Sequence, residues 1–381
     1  MIIKLKNSKV SKNILISFFC FLFFVFFYRF LLPYGDEPDF LYRIDRLLFS
    51  EHHILSPYYY FQGLLNTFDW QTNENIIQKL IRIILTIFLL MPLLLILIFK
   101  NTFIKIMIKL SNKLTFTEWN NRIKALSLSL LFPSMLFFLG VFAEEQFTLI
   151  ISLFIFLFFD YLLLIFILLF WISCIDLGNS IVVLSFIILF YYYKSIYKLF
   201  SLKIVIIHSI IFIIIAFTVG LNLVYYLTEL PIIGDKASFI YESYTTIYAY
   251  VTDKYPIIFR PIITLITGIF WLPSNFLVVY LYPIYFIYLF FIIKKSIILN
   301  ITNHNKNSYN KVKSFLSFLS GLTLIFFIPL ILNGFSNAKY YIFLIPFILY
   351  AALKYFKYSS IFYFLLVSNI FILLHLFIKT I

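Results

Sequence analysis

Charge is scarce in this chain. Only 12% of its 381 residues are Asp, Glu, Lys or Arg, against about 25% in an ordinary soluble domain. That excludes a soluble globular protein, and a hydrophobic share of 63% excludes a disordered one. Cysteine is almost missing. Cys20 and Cys174 both lie in apolar runs, with no metal-ligand spacing and no disulfide framework, so both read as buried structural residues. No glycine-rich phosphate loop of the P-loop or dinucleotide type occurs, which argues against an ATP-driven pump. Acids are fewer than bases, 16 against 30, giving a net charge of +14. No basic stripe alternates with aromatics on a polar face, so nucleic acid is not an expected partner.

What fills the chain instead is apolar run after apolar run, at a mean hydropathy of +1.01. A span needs about 20 apolar residues. The first run, Ile14 to Leu32, follows Lys4, Lys6, Lys9 and Lys12. It lacks a small-residue cleavage site and reads as an uncleaved first span. A polar stretch over 33–75, a run from Ile76 to Phe99 and a basic segment from Lys100 to Lys124 come next. The third run, Ala125 to Phe142, ends at Ala143-Glu144-Glu145. From Phe147 to Tyr193 the chain is nearly all apolar, broken by Asp160 and by Asp176-Leu177-Gly178-Asn179. Later runs cover Ile204 to Leu221, Phe276 to Ile293, Phe315 to Leu332, Tyr340 to Leu353 and Ile361 to Ile378, with a second polar stretch over 222–261. The expectation is an all-α, polytopic integral membrane protein of about nine to eleven transmembrane helices. It forms a single transmembrane domain over 1–381, with outer loops near 33–75 and 222–261.

Charge placement orients it. Twenty of the 30 basic residues fall in the N-terminus and alternate loops, among them Lys100, Lys105, Lys109, Lys113, Arg122, Lys124, Lys194, Lys198 and Lys203. Those loops read as cytoplasmic, with the N-terminus inside. Thirteen of the 16 acids fall on the other face. With Lys194, Lys198 and Lys203 inside and Glu145 outside, an odd number of crossings separates them. Three short spans near 147–159, 161–175 and 179–193 satisfy this, as does one long crossing with a hairpin that does not cross.

Four features carry candidate chemistry. Tyr34-Gly35-Asp36-Glu37-Pro38-Asp39 follows the first span. Its crowded carboxylates repel, which raises at least one pKa. A loop carboxylate there suits a general base acting on a hydroxyl, or is a solvated acidic turn. Phe132-Pro133-Ser134 precedes Glu144-Glu145-Gln146, where paired acids at an apolar helix end face water or a partner, or snorkel. Arg260 near the end of the second outer loop offers planar recognition of phosphate, or anchors the interface. Lys339-Tyr340-Tyr341, with Pro346 in the following helix, puts a cation on the outer face. Elsewhere, Arg29 and Arg82 read as snorkelling, and His52-His53 is a weak metal candidate. Asp160 and Asp176 are intramembrane acids, functional by default, or simple helix-end markers.

This pattern of an acidic motif after the first span, a proline-containing third span ending in acids and a late basic-Tyr-Tyr resembles the GT-C superfamily of membrane glycosyltransferases. Size, Phe/Ile-rich composition and a mid-chain outer loop with Arg260 make it most similar to bacterial O-antigen or capsule repeat-unit polymerases. The resemblance implies a GT-C-like bundle in the bacterial inner membrane. Its substrate would be a saccharide on undecaprenyl (di)phosphate, transferred at the periplasmic face, with a flippase and a chain-length regulator as partners beside membrane lipid. The catalytic carboxylates would be Asp36, Glu37, Asp39, Glu144 and Glu145, with Asp36 orienting or deprotonating the acceptor. Arg260, Lys339 and Tyr340 would bind the phosphate; Lys339 stands where the family usually has Arg. No cofactor and no metal are expected, because the leaving group is already good, although the acids could host a divalent cation. A lipid-linked saccharide transporter, a single-sugar transferase and a non-catalytic assembly protein are the competing readings.

Overall fold

The computed structural model describes residues 14–27, 76–111, 113–140, 144–230, 309–331 and 341–380, with residues 234, 238 and 287. Among the described residues every regular element is helical and none is a strand. Apolar chain in an apolar medium must satisfy its backbone within each segment, and the helix does so.

Helix α1 is Ile14–Phe27. Next come α2 (Ile76–Ile98), α3 (Lys100–Leu110), α4 (Phe116–Ser129), α5 (Pro133–Gly140), α6 (Glu144–Leu157), α7 (Leu162–Ile175), α8 (Leu177–Leu199) and α9 (Leu202–Leu227). Further along the chain come α10 (Tyr309–Ile331), a 3-10 turn (Ile342–Leu344), α11 (Ile345–Ala352) and α12 (Tyr358–Thr380). Of these, α8 is long and apolar enough to cross a membrane alone, and up to three spans result if each bent helix pair counts as one.

Two expectations change. The basic segment from Lys100 to Lys124, read as a loop, is mostly helical: α3 leaves α2 at 82°, and α4 begins at Phe116. A capping box starts α4. Thr115 Oγ1 accepts from the Glu118 amide at 3.4 Å, and Glu118 Oε2 accepts from the Thr115 amide at 2.7 Å. The run from Ala125 to Phe142 is also not one straight helix, because α4 and α5 meet at 73°. Pro133 has no amide hydrogen to continue α4 and is suited to open α5. The stretch from Phe147 to Tyr193 breaks where its acids stand, with Asp160 between α6 and α7 and Asp176 between α7 and α8.

The chain forms two compact units. One holds α1 to α7, the start of α8 to Leu184, and α11 and α12; the other holds α8 from Ser185, α9, α10 and the 3-10 turn. In the first, α4 is central, with Trp119, Ile123, Leu126 and Leu128 fully buried. On α11, Phe347 meets Phe156 and Phe159, each at 4.9 Å between ring centroids. In the second unit, hydroxyls join three helices. Tyr193 lies 3.0 Å and Ser209 2.7 Å from Thr323 Oγ1. Gly321 lets α10 approach Leu344, whose side chain would lie 3.4 Å from an added Cβ.

The bend at Pro133 leaves carbonyls that an apolar interior must satisfy. Asn369 of α12, fully buried, donates from Nδ2 to the Leu131 carbonyl at 2.7 Å. Asn369→Leu keeps the volume and deletes the donor. The expected result is a loss of about 1–3 kcal/mol, read as a lower unfolding midpoint in detergent, with Ser360→Ala as an exposed-end control.

Candidate functional site

The residues singled out by sequence fall mainly outside the described structure. Asp36, Glu37, Asp39, Arg260, Lys339 and Tyr340 lie there, as do Arg29, His52 and His53. Glu144 and Glu145 open α6, and their side chains, like that of Arg82, are also outside the described set. The described chemistry is in the first unit, at the two ends of α6.

At the Glu144 end, Gln146 is fully buried. Its Nε2 donates to Thr86 Oγ1 at 3.0 Å and to the Leu139 carbonyl at 2.7 Å. These bonds fasten the first turn of α6 to α2 and to the end of α5, and so fix where the Glu144-Glu145 backbone enters the bundle. Two residues on, Thr148 accepts from Asn179 Nδ2 at 3.4 Å. Asp176 takes the Asn179 amide at 3.1 Å and its Nδ2 at 2.8 Å. Asp176 therefore caps α8, the helix-end role that was one of its two readings.

At the other end, about 20 Å along the helix at 1.5 Å per residue, stands Arg122. It was read as one of several loop cations, yet its side chain is 4% exposed. Nη1 donates to the Leu157 carbonyl at 2.6 Å, and Nη2 is paired with Asp160 Oδ2. Leu157 ends α6, where carbonyls lack helical partners and the helix dipole is negative, so a cation there is doubly favoured. The Tyr350 hydroxyl on α11 is also within hydrogen-bond reach of Arg122. Around it, the Arg122 guanidinium lies 5.7 Å from the Trp119 ring, which stacks on Tyr161 at 6.4 Å and meets Phe103 of α3 edge-on at 5.5 Å. Arg122 is the lone arginine among the lysines of 100–124. Arginine is the side chain suited to a buried pair, and this was the signal available in the sequence.

Beside this network are two cations of a different kind. Lys100, at the bend between α2 and α3, is 5% exposed. Lys124, half-buried on α4, is close enough to repel it. Burial first, and then the like charge of Lys124, push the Lys100 ammonium down to about 8. Both lie outside the apolar runs, in the basic segment.

The Arg122–Asp160 pair anchors the fold, since each charge is consumed by the other and by a helix end. Among the described residues no group of three or more His, Cys, Asp or Glu stands together as a metal site. Cys20 and Cys174 are unpaired and half-buried. No protein-family model, curated protein or solved structure matches the chain.

Removing one partner of a buried pair strands the other charge. Arg122→Met is expected to cost about 3 kcal/mol, at the low end of the usual range because Asp160 is partly exposed. Arg122→Met with Asp160→Leu is expected to cost less than Arg122→Met alone. A double-mutant cycle from unfolding midpoints in detergent checks this, and strict additivity would remove the pair from the account.

Proposed function

We propose that the chain is a polytopic glycosyltransferase of the bacterial inner membrane, polymerising saccharide units carried on undecaprenyl (di)phosphate at the periplasmic face. The observation that carries this reading is the pair Glu144-Glu145 at the head of an apolar helix whose far end is tied to Arg122 of the basic segment. With the basic segment inside, α6, shorter than a full span by itself, is the first of the three short spans this reading needs, and its acidic head is outside. That is the face where Asp36, Glu37 and Asp39 belong on the same charge pattern. The α7 and α8 breaks then fit three crossings between Glu145 and Lys198, and Lys354, 5.8 Å from the Tyr350 ring near Arg122, fits the inner side.

The mechanism needs one carboxylate to orient or deprotonate the acceptor hydroxyl, and Asp36 is the choice, with Glu144 or Glu145 beside it. The departing group is a phosphate, on which negative charge develops as the glycosidic bond breaks. Arg260 and Lys339, with Tyr340, supply the compensating donors. The apolar helices take the polyprenyl tail. A transporter of the same lipid-linked saccharide is the second reading, favoured by the bent helix pairs at 82° and 73°, since transporters build sites from broken helices.

Complementation of a strain lacking this gene separates the two. At matched membrane levels, wild type restores a long polysaccharide ladder, while Asp36→Asn, Glu144→Gln and Arg260→Ala stop at one repeat unit displayed on the surface. A repeat unit trapped at the inner leaflet would favour the transporter, and an intact ladder in every variant would end the catalytic reading. For topology, single cysteines at Glu145 and Lys198 are expected to label from opposite sides, and labelling from the same side overturns the three-crossing route.

A further inference from the structure

The second unit carries a polar pair on a face that is otherwise hydrocarbon. The Tyr192 hydroxyl of α8 lies 2.8 Å from His208 Nδ1 of α9, and the Tyr192 ring meets Phe212 edge-on at 5.5 Å. The pair is not interior: Tyr192 is exposed, and so is Ile207 beside His208. A neutral imidazole has one N–H and a phenol one O–H. The bond between them uses one of these, so one donor is left over whichever group donates. A donor left over at an apolar surface calls for an acceptor from outside the helices.

What flanks the pair says which acceptor. Helix α8 is long and apolar enough to cross a membrane alone; at 1.5 Å per residue it is about 35 Å long, so its ends reach the membrane surfaces. It ends at Leu199, and α9 begins at Leu202. The contacts of Tyr192 with His208 and Phe212 fold the two helices back on each other, with the turn as their tip. There Leu199 is 78% and Phe200 55% exposed. Lys198 and Lys203 stand exposed on either side, and Lys194 lies 5.3 Å from the Tyr191 ring. From Leu177 to Thr228 the sequence holds these three lysines and no acid. Exposed apolar side chains among unopposed lysines at the end of a span suit an anionic leaflet surface. Inward from the tip, Lys203, Ile207, Ile211 and Ile215 follow one another a turn apart, all exposed. Read inward, the order is cation, hydrogen-bond donor, hydrocarbon. A phospholipid has the matching order of phosphate, ester carbonyls and acyl chains.

We propose that the outer face of the α8–α9 hairpin binds an anionic phospholipid. Lys194, Lys198 and Lys203 hold its phosphate and headgroup, the Tyr192–His208 pair donates to an ester carbonyl, and the isoleucines of α9 line an acyl chain. The site requires that α8 be a span. It does not depend on the proposed glycosyl transfer, and none of its residues acts there.

The test uses the full chain in nanodiscs of equal phosphatidylcholine and phosphatidylglycerol. A photoreactive p-benzoylphenylalanine replaces Ile207, and mass spectrometry identifies the lipid it captures. Phosphatidylglycerol is expected to dominate there, while the same probe at Phe166, an exposed position on α7, captures both lipids equally. Lys203→Gln is expected to lower the preference about fivefold, the effect of one lysine near an anionic surface, and Lys194→Gln with Lys198→Gln and Lys203→Gln to abolish it. Both lipids have ester carbonyls, so Tyr192→Phe with His208→Phe is expected to lower the yield of both and leave the preference intact. Added inorganic phosphate is expected to change nothing; displacement of the lipid by it assigns the lysines to a free anion and overturns the proposal. Equal capture of the two lipids at Ile207, the same preference at Phe166, a preference that survives loss of all three lysines, or an unchanged yield in the double phenylalanine variant also overturns it.

Discussion

The hold of Arg122 on the end of α6 is the interaction on which the first unit depends. One guanidinium meets the free carbonyl of Leu157 at 2.6 Å and the carboxylate of Asp160. A helix end inside an apolar bundle has carbonyls that water would otherwise satisfy, and a dipole that favours a cation. Asp160 is affordable there only because the same cation neutralises it. The pair therefore solves two problems with one side chain, and it ties α4 to the α6–α7 turn. The aromatic layer of Phe103, Trp119, Phe158 and Tyr161 then closes over it.

The bends follow from the same constraint. A straight helix satisfies itself, and a bent one must find donors and acceptors elsewhere. At Pro133 the donor comes from Asn369, 238 residues away in the chain from the Leu131 carbonyl it serves. At the head of α6, Gln146 performs a similar task for the Leu139 carbonyl. Both amides are fully buried. Both carry enough donors to serve a second acceptor, the Leu365 carbonyl for Asn369 and Thr86 for Gln146.

Much of the helical layout was legible in sequence because it depends on local chemistry. The apolar runs, the breaks at Asp160 and Asp176, and the charge asymmetry all come from residues near each other in the chain. Thr115-Phe116-Thr117-Glu118 is also a local signal, a capping box that marks the start of α4 inside what composition alone presents as a basic loop. The bend at Lys100 and the partnership of Arg122 with Asp160, 38 residues apart, were not legible, because they depend on which helices pack together. The acidic motif at Asp36 and the cations at Arg260 and Lys339 were read from type and spacing, and they lie outside the described residues. The Glu144-Glu145 pair is the member of that set whose helical position the structure gives.

The allocation of polar groups explains why an arginine is more telling here than a serine. Three buried serines look after themselves: Ser152 donates to the Thr148 carbonyl at 2.8 Å, Ser320 to Leu316 at 2.8 Å and Ser368 to Phe364 at 2.7 Å. Each bond stays within one helix, so each residue is neutral toward its neighbours and informs little about function. Amides reach further, as Asn369 and Gln146 do, and they hold bends. Charges are not satisfied by one carbonyl: they find an opposite charge, reach water at the end of the side chain, or shift their pKa. Arg122 found Asp160 within the chain. Lys100 of the same segment meets no acid among the described residues, and burial with the charge of Lys124 lowers its pKa instead, so one segment uses an arginine as an anchor and lets a lysine give up its proton more easily.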